Sequence, residues 1–167
     1  MKLLLIRHAV AEEREDFARS GKDDRLRPLT DEGRKKMRQG ARGLREIVPE
    51  IDLLATSPLT RAAQTGAILD SVFGGLKEVE IEELAPEALP KDFLRWLRKQ
   101  KAGTVAAVGH EPSLSLILSW LLTGTERKLF AFRKGGACLL EFPDQVAAGA
   151  AVQLWALTPA QLRELAG

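Results

Sequence analysis

The stretch Met1-Lys2-Leu3-Leu4-Leu5-Ile6-Arg7-His8-Ala9-Val10 decides how the rest of the chain is read. Leu3 to Ile6 are four apolar residues in a row, the pattern of a central parallel strand buried on both faces. The run leads directly into Arg7, a permanent cation, and His8, an imidazole able to attack, accept or donate a proton. In open α/β sheets the ligand crevice lies at the carboxyl ends of the strands, so an Arg-His pair at that point is a site candidate. An arginine there is ordinarily a solvated cap and a lone histidine ordinarily a surface residue, so the weight of the pair depends on what the rest of the chain brings to it.

Further along, Ala11 to Pro28 is polar and charged and reads as a loop, with a short helical turn over Glu12 to Arg19. It has the place and length of a substrate lid, or equally of solvated padding. Thr30 is an N-cap, with Asp31 and Glu32 in the first turn and Met37, Ala41, Leu44 and Val48 at helical spacing. Ile51 to Ala55 forms a second strand. The following Ser57-Pro58 reads as an N-cap with proline at the first helical position, which places Arg61 in the first turn of a helix. A cation is disfavoured there unless an anion sits between it and the helix end. Glu78 to Ile81 is an edge-like strand and Asp92 to Lys101 a helix. Thr104 to Gly109 is another fully buried strand, again ending in histidine, His110. A helix opening at Glu111-Pro112, closing strands in Phe130 to Phe142 and Ala150 to Leu157, and a last helix capped by Thr158-Pro159 complete the reading.

Composition bounds the possibilities. The 167 residues are 45% apolar and 29% charged, with a net charge of +2, which describes one globular domain spanning 1–167 and gives no basic field for nucleic acid. The dense basic run from Arg25 to Arg45 is expected to be the solvated face of a helix. A single cysteine, Cys138, lies in a strand-like apolar run and reads as a core residue; with two histidines it leaves too few ligands for a structural zinc site. No signal peptide or membrane span is visible, so a cytoplasmic protein with no membrane partner is expected.

The only two histidines stand at the ends of two buried strands, and Arg7 and Arg61 at the ends of the first and second. In one parallel sheet all four converge on a single crevice suited to a phosphate-sized dianion, whose oxygens match forked N–H donors.

These residues carry a resemblance. Arg7-His8-Ala9, Leu29-Thr30-x-x-Gly33, Ser57-Pro58-Leu59-x-Arg61-Ala62-x-Gln64-Thr65 and Val108-Gly109-His110-x-Pro112 are similar, in order, to the motifs of the histidine phosphatase superfamily, and Lys134-Gly135-Gly136 extends the match. The short chain resembles the SixA-type phosphohistidine phosphatases rather than the longer phosphoglycerate mutases. The resemblance implies an α/β fold, a three-layer α/β/α sandwich with a mostly parallel central sheet and antiparallel closing strands, and no metal or other cofactor. It implies that His8 is the nucleophile that becomes phosphorylated, and that Arg7, Arg61 and His110 hold the transferring phosphoryl group. The implied substrate is a phosphohistidine-bearing protein or a small phosphorylated compound, with inorganic phosphate as product and a role in signal transduction. Larger relatives add a carboxylic acid after the third strand; Glu83, with Glu82 and Glu87 as rivals, lies in that region without a decisive pattern. A small-molecule phosphomonoesterase or mutase of the same fold, or a phosphocarrier that stores phosphate on His8, remains an alternative.

Overall fold

The computed structural model describes all 167 residues. Six strands, β1 (Lys2–Arg7), β2 (Leu53–Thr56), β3 (Glu78–Glu80), β4 (Thr104–Gly109), β5 (Ala137–Glu141) and β6 (Val152–Leu157), form one sheet in the order β3-β2-β4-β1-β5-β6. The first four run parallel, whereas β5 pairs antiparallel with β1 and β6 pairs antiparallel with β5. Six helices flank it: α1 (Arg14–Ala18), α2 (Asp31–Ile47), α3 (Thr60–Phe73), α4 (Pro90–Leu97), α5 (Ser113–Thr123) and α6 (Pro159–Glu164). The architecture is the α/β/α arrangement expected from the chain.

The apolar run of β1 makes sense once its neighbours are in place. Leu3 and Leu5 enter a core shared with Phe93, Leu97, Leu114 and Leu121 of α4 and α5, whereas Leu4 and Ile6 enter the opposite core with Met37, Leu44, Leu69 and Leu162 of α2, α3 and α6. Successive side chains on a strand point to opposite faces, so only an unbroken apolar run satisfies both layers. Each of these four side chains is 0% exposed, and full burial of such a side chain contributes about 1.5–3 kcal/mol.

Several local expectations shift. The Ser57-Pro58 pair does not cap α3; the helix starts at Thr60, its N-cap is Leu59, and no side chain caps it. Ser57 is instead drawn to His110, as described below. The predicted strand over Phe130 to Phe142 is confined to Ala137–Glu141. Upstream of it, Phe132 N–H donates to the Glu111 carboxylate at 2.7 Å, the Phe132 carbonyl accepts from Arg7 Nη1 at 2.6 Å, and the Phe130 carbonyl accepts from Ser115 Oγ. Backbone groups claimed by side chains are not available to a neighbouring strand. Pro90 starts α4 two residues before the expected Asp92, and the helix ends at Leu97 rather than Lys101. The basic run divides as well: Arg34 to Arg45 ride on α2, but Arg25 and Arg27 precede it and Arg27 is buried.

The C-terminal helix α6 carries the expected cap, with Thr158 Oγ1 accepting from Gln161 N–H and the Gln161 side chain accepting from Thr158 N–H. It lies so close to α2 that a Cβ on Gly43 would stand 1.8 Å from the Leu162 carbonyl oxygen, while a Cβ on Gly40 would meet only Leu162 Cβ, at 3.8 Å. Opposite outcomes are therefore expected from the same substitution in one helix. Gly40→Ala should stabilise the protein by up to about 1 kcal/mol through helix propensity. Gly43→Ala must force backbone apart and should destabilise it by roughly 1–3 kcal/mol. Denaturant midpoints at unchanged m-value measure both.

Candidate active site

Three strand ends lie side by side and carry the site. In the β1–β4 register Arg7 stands beside Gly109, and in the β2–β4 register Thr56 stands beside Val108, so Ser57, His110 and His8 emerge as neighbours. The backbone continues to tie them: His8 N–H donates to the Gly109 carbonyl at 3.0 Å and Ser57 N–H to the Val108 carbonyl at 3.0 Å. Gly135 N–H lies 3.1 Å from both the Arg7 and His8 carbonyls. The structure brings all four sequence-derived candidates, Arg7, His8, Arg61 and His110, to the wall of one crevice of about 240 Å³, together with Arg27, Arg14, Glu13, Glu111, Lys134 and Pro86.

His8 is 5% exposed. Its Nδ1–H donates to the Ala9 carbonyl at 2.7 Å. A carbonyl only accepts, so this contact fixes the proton on Nδ1 and leaves the Nε2 lone pair free. The acceptor is itself held, because Ala9 N–H donates to Thr65 Oγ1 at 3.1 Å and the Thr65 hydroxyl donates to the Arg61 carbonyl at 2.7 Å. His110 faces His8 with ring centroids 5.0 Å apart and an interplanar angle of 51°. Its Nε2 shares a 2.8 Å hydrogen bond with Ser57 Oγ, and its Nδ1 is buried with no partner in the protein.

Arg61 is 2% exposed, although it belongs to the first turn of α3. Its guanidinium donates to the Asp24 carbonyl at 3.0 Å and pairs with the Asp24 carboxylate at 3.3 Å. The same carboxylate accepts from Arg27 Nε at 2.8 Å and lies 3.7 Å from Arg14. Burial alone would raise Asp24, but the Arg27 hydrogen bond and the charges of Arg27, Arg61 and Arg14 hold it below the usual carboxylate range. Segment 11–28 is thus bound to the site through Asp24 and Arg27, and Arg27 Nη1 also donates to the Glu12 carbonyl at 2.7 Å. Arg27, on the crevice wall, and Asp24, which pairs with Arg27 and Arg61, are the residues of this candidate site that sequence reasoning missed. Both stand in a charged run whose pattern does not distinguish a buried arginine from a solvated one.

None of the three carboxylates considered as an acid lines this crevice. Glu82 is exposed and pairs with Arg25 at 3.1 Å, Glu83 is half-buried outside the crevice, and Glu87 lines an adjoining cavity of about 350 Å³ with Arg14 and Arg25. The carboxylates that do face it are Glu13 and Glu111, and Glu111 is engaged by Phe132 N–H and the Ser115 hydroxyl.

Burial pulls the His8 imidazole down to about 3, helped by Arg61, Arg7 and Arg27 and opposed by the Ala9 hydrogen bond. Burial, His8 and the same arginines bring His110 to about 2. Both rings are therefore neutral in the folded protein while an unfolded chain protonates them near pH 6.5. Between those values the unfolded state binds more protons, so stability is present above pH 6.5 and lost as pH falls toward 3. Each ring should contribute a slope of about 1.4 kcal/mol per pH unit within that window. Chemical denaturation at stepped pH should give a shallower slope for His8→Asn and for His110→Asn than for wild type.

Comparison with known proteins places this chain in a family. Residues 3–88, just over half of the chain, match the model of the histidine phosphatase superfamily (branch 1). An uncharacterized protein of Picosynechococcus sp. is 35% identical over 117 residues, covering 68% of each chain. The protein histidine phosphatase SixA complexed with tungstate shares the fold at a TM-score of 0.82 with 22% identity, covering 97% of this chain and 99% of that one. The alpha-ribazole phosphatase from Shigella flexneri does so at a TM-score of 0.73 with 19% identity, over 95% and 97% of the two chains. No helix here is long and apolar enough to cross a membrane. The chain belongs to the histidine phosphatase superfamily.

Proposed function

We propose that this chain is a phosphatase that removes the phosphoryl group of phosphohistidine in a protein, through a covalent intermediate on His8. The observation that carries the reading is the His8 Nδ1–H contact to Ala9, which leaves Nε2 unprotonated beside Arg7, Arg61 and His110. The Nε2 lone pair attacks phosphorus, and the bond from phosphorus to the leaving imidazole breaks with its electron pair. That imidazole departs neutral from the form of the substrate in which its other nitrogen is protonated. Water then attacks the phosphorus on His8, the Nε2–P bond breaks, and inorganic phosphate and neutral His8 are released.

Phosphoryl transfer leaves the protein mainly positioning and charge stabilisation, and here Arg7 and Arg61 are the forked donors for the equatorial oxygens. Arg27 adds charge behind them and, with Asp24, holds Arg61 in place. The fold also hosts alpha-ribazole phosphatase activity in a relative, so the leaving group decides between protein and small-molecule substrates. An alkoxide needs a proton delivered in the transition state. Glu82 and Glu83 stand outside the crevice and Glu111 is already engaged by donors, so only the exposed Glu13 on its wall is free to deliver that proton; phosphoramidate and aryl substrates do not require it.

A pair of variants tests the centre. His8→Ala should abolish turnover and acid-labile phosphoenzyme while retaining the fold, and retained turnover would remove the covalent mechanism. Charge-assisted hydrogen bonds are worth about 1.5–3 kcal/mol, so Arg61→Ala should lower kcat/KM by roughly ten- to hundred-fold.

The leaving group is tested by comparing a phosphohistidine-bearing protein, an aryl phosphate and alkyl phosphates, each with wild type, Glu83→Gln and Glu13→Gln. Alkyl phosphates should be poor substrates, and both variants should lose little on the activated ones. Fast alkyl-phosphate turnover that collapses in Glu13→Gln or Glu83→Gln would assign the protein to small-molecule phosphatases.

A further inference from the structure

A second cavity, of about 220 Å³, lies directly beside the crevice. The two share Lys134 in their walls, and the second is floored by Ala9 and Val10, the residues that follow His8, and by the buried Met37. Three cations stand around it from three separate segments: Lys36 on α2, Lys134 in the turn before β5, and Arg163 on α6. None of the residues lining it is acidic, and the one carboxylate in contact with this set is Glu32, 3.2 Å from Lys36. Neither Lys134 nor Arg163 has an ion-pair partner. Like charges gathered around a concave apolar floor repel one another until an anion joins them, and a concave wall of one sign focuses the field on its occupant.

We propose that this cavity is a second anion subsite that receives an acidic side chain of the protein substrate, a glutamate or aspartate close to the phosphorylated histidine. The assignment rests on the phosphohistidine reading of the neighbouring crevice. A carboxylate on a short apolar stem matches both parts of the cavity: the stem packs on Val10 and Met37 and the carboxylate meets Lys36 and Arg163. Lys134, common to both cavities, bridges the two anions of one substrate.

The double variant Lys36→Gln/Arg163→Gln tests this without touching the reaction crevice. Two readouts separate the subsite from the chemistry. In the first, a fluorescein-labelled peptide with an unphosphorylated histidine flanked by glutamates is titrated at low salt, beside its glutamine counterpart, and anisotropy is followed. Wild type should bind the glutamate peptide about ten-fold more tightly than the glutamine one, and the double variant should lose that preference. In the second, the phosphorylated peptides should show the same discrimination in KM with kcat unchanged, while turnover of an unadorned aryl phosphate stays within about two-fold of wild type. Equal binding of the two peptides to wild type, or a preference that survives in the double variant, overturns the subsite. If an aryl phosphate bearing a carboxylate gains the whole advantage and the glutamate peptide none, the protein side chain is the wrong occupant. Absence of turnover on every substrate with the binding preference intact would instead strike the phosphatase reading and leave the subsite standing.

Discussion

The hydrogen bond from the His8 imidazole to the Ala9 carbonyl is the contact on which the rest depends. It joins a side chain to the carbonyl of the next residue, so it forms only while the backbone just beyond β1 keeps one shape. That backbone is held from outside by Thr65, whose hydroxyl accepts from Ala9 and donates to the Arg61 carbonyl. One threonine thus relates the orientation of the imidazole to the position of α3 and of the guanidinium it carries. Val10 is fixed in turn by Thr30 N–H, at 3.0 Å from its carbonyl, and a Cβ on Gly33 would stand 2.1 Å from that same oxygen. The Thr30 and Gly33 pair caps α2 and clears room for the chain leaving the active strand.

The second constraint is electrostatic. Three buried or half-buried arginines and two neutral imidazoles share a small space, and their mutual repulsion is moderated by few acceptors. Asp24 serves Arg61, Arg27 and Arg14 at once, and the Phe132 carbonyl serves Arg7. Such a cluster is costly unless nearly every donor is occupied. The Nε atoms of Arg7 and Arg61 are buried without a protein acceptor. The stability dispersed over two apolar layers of the sheet is what tolerates this concentration of charge at its edge.

Much of this was legible in the chain because strand periodicity and the carboxyl-end rule act locally. Leu3 to Ile6 and Val105 to Val108 could be recognised as doubly buried strands from their composition, and His8 and His110 followed as their ends. The fold class, the parallel core of the sheet and the capping of α2 and α6 came from the same short-range patterns. What was not legible depended on contacts distant in sequence. Ser57 looked like a helix cap because serine before proline usually is one, yet its hydroxyl lies at His110, 53 positions away. Arg27 looked solvated because its neighbours are, and only the fold brings it beside Asp24 and Arg61. The closing strand looked longer because nothing in Phe130 to Phe132 announces that Arg7, Glu111 and Ser115 will take its backbone groups.

That capture of Phe130 and Phe132 gives the segment between α5 and β5 a different kind of order from the sheet it leads into. A strand is secured by a ladder in which each rung supports the next, whereas this segment is pinned by a few side chains at separate points. Removing one pin leaves the others in place but frees several exposed peptide groups between them. Among the amides of 126–131 only Arg127, donating to Ser119 Oγ at 3.1 Å, and Leu129, donating to the Arg127 carbonyl at 3.1 Å, have a protein acceptor, so opening here takes far less than the global unfolding that frees the strand amides of Ala137–Glu141. The protein carries, just upstream of a fully paired strand, a stretch whose excursions leave the core untouched.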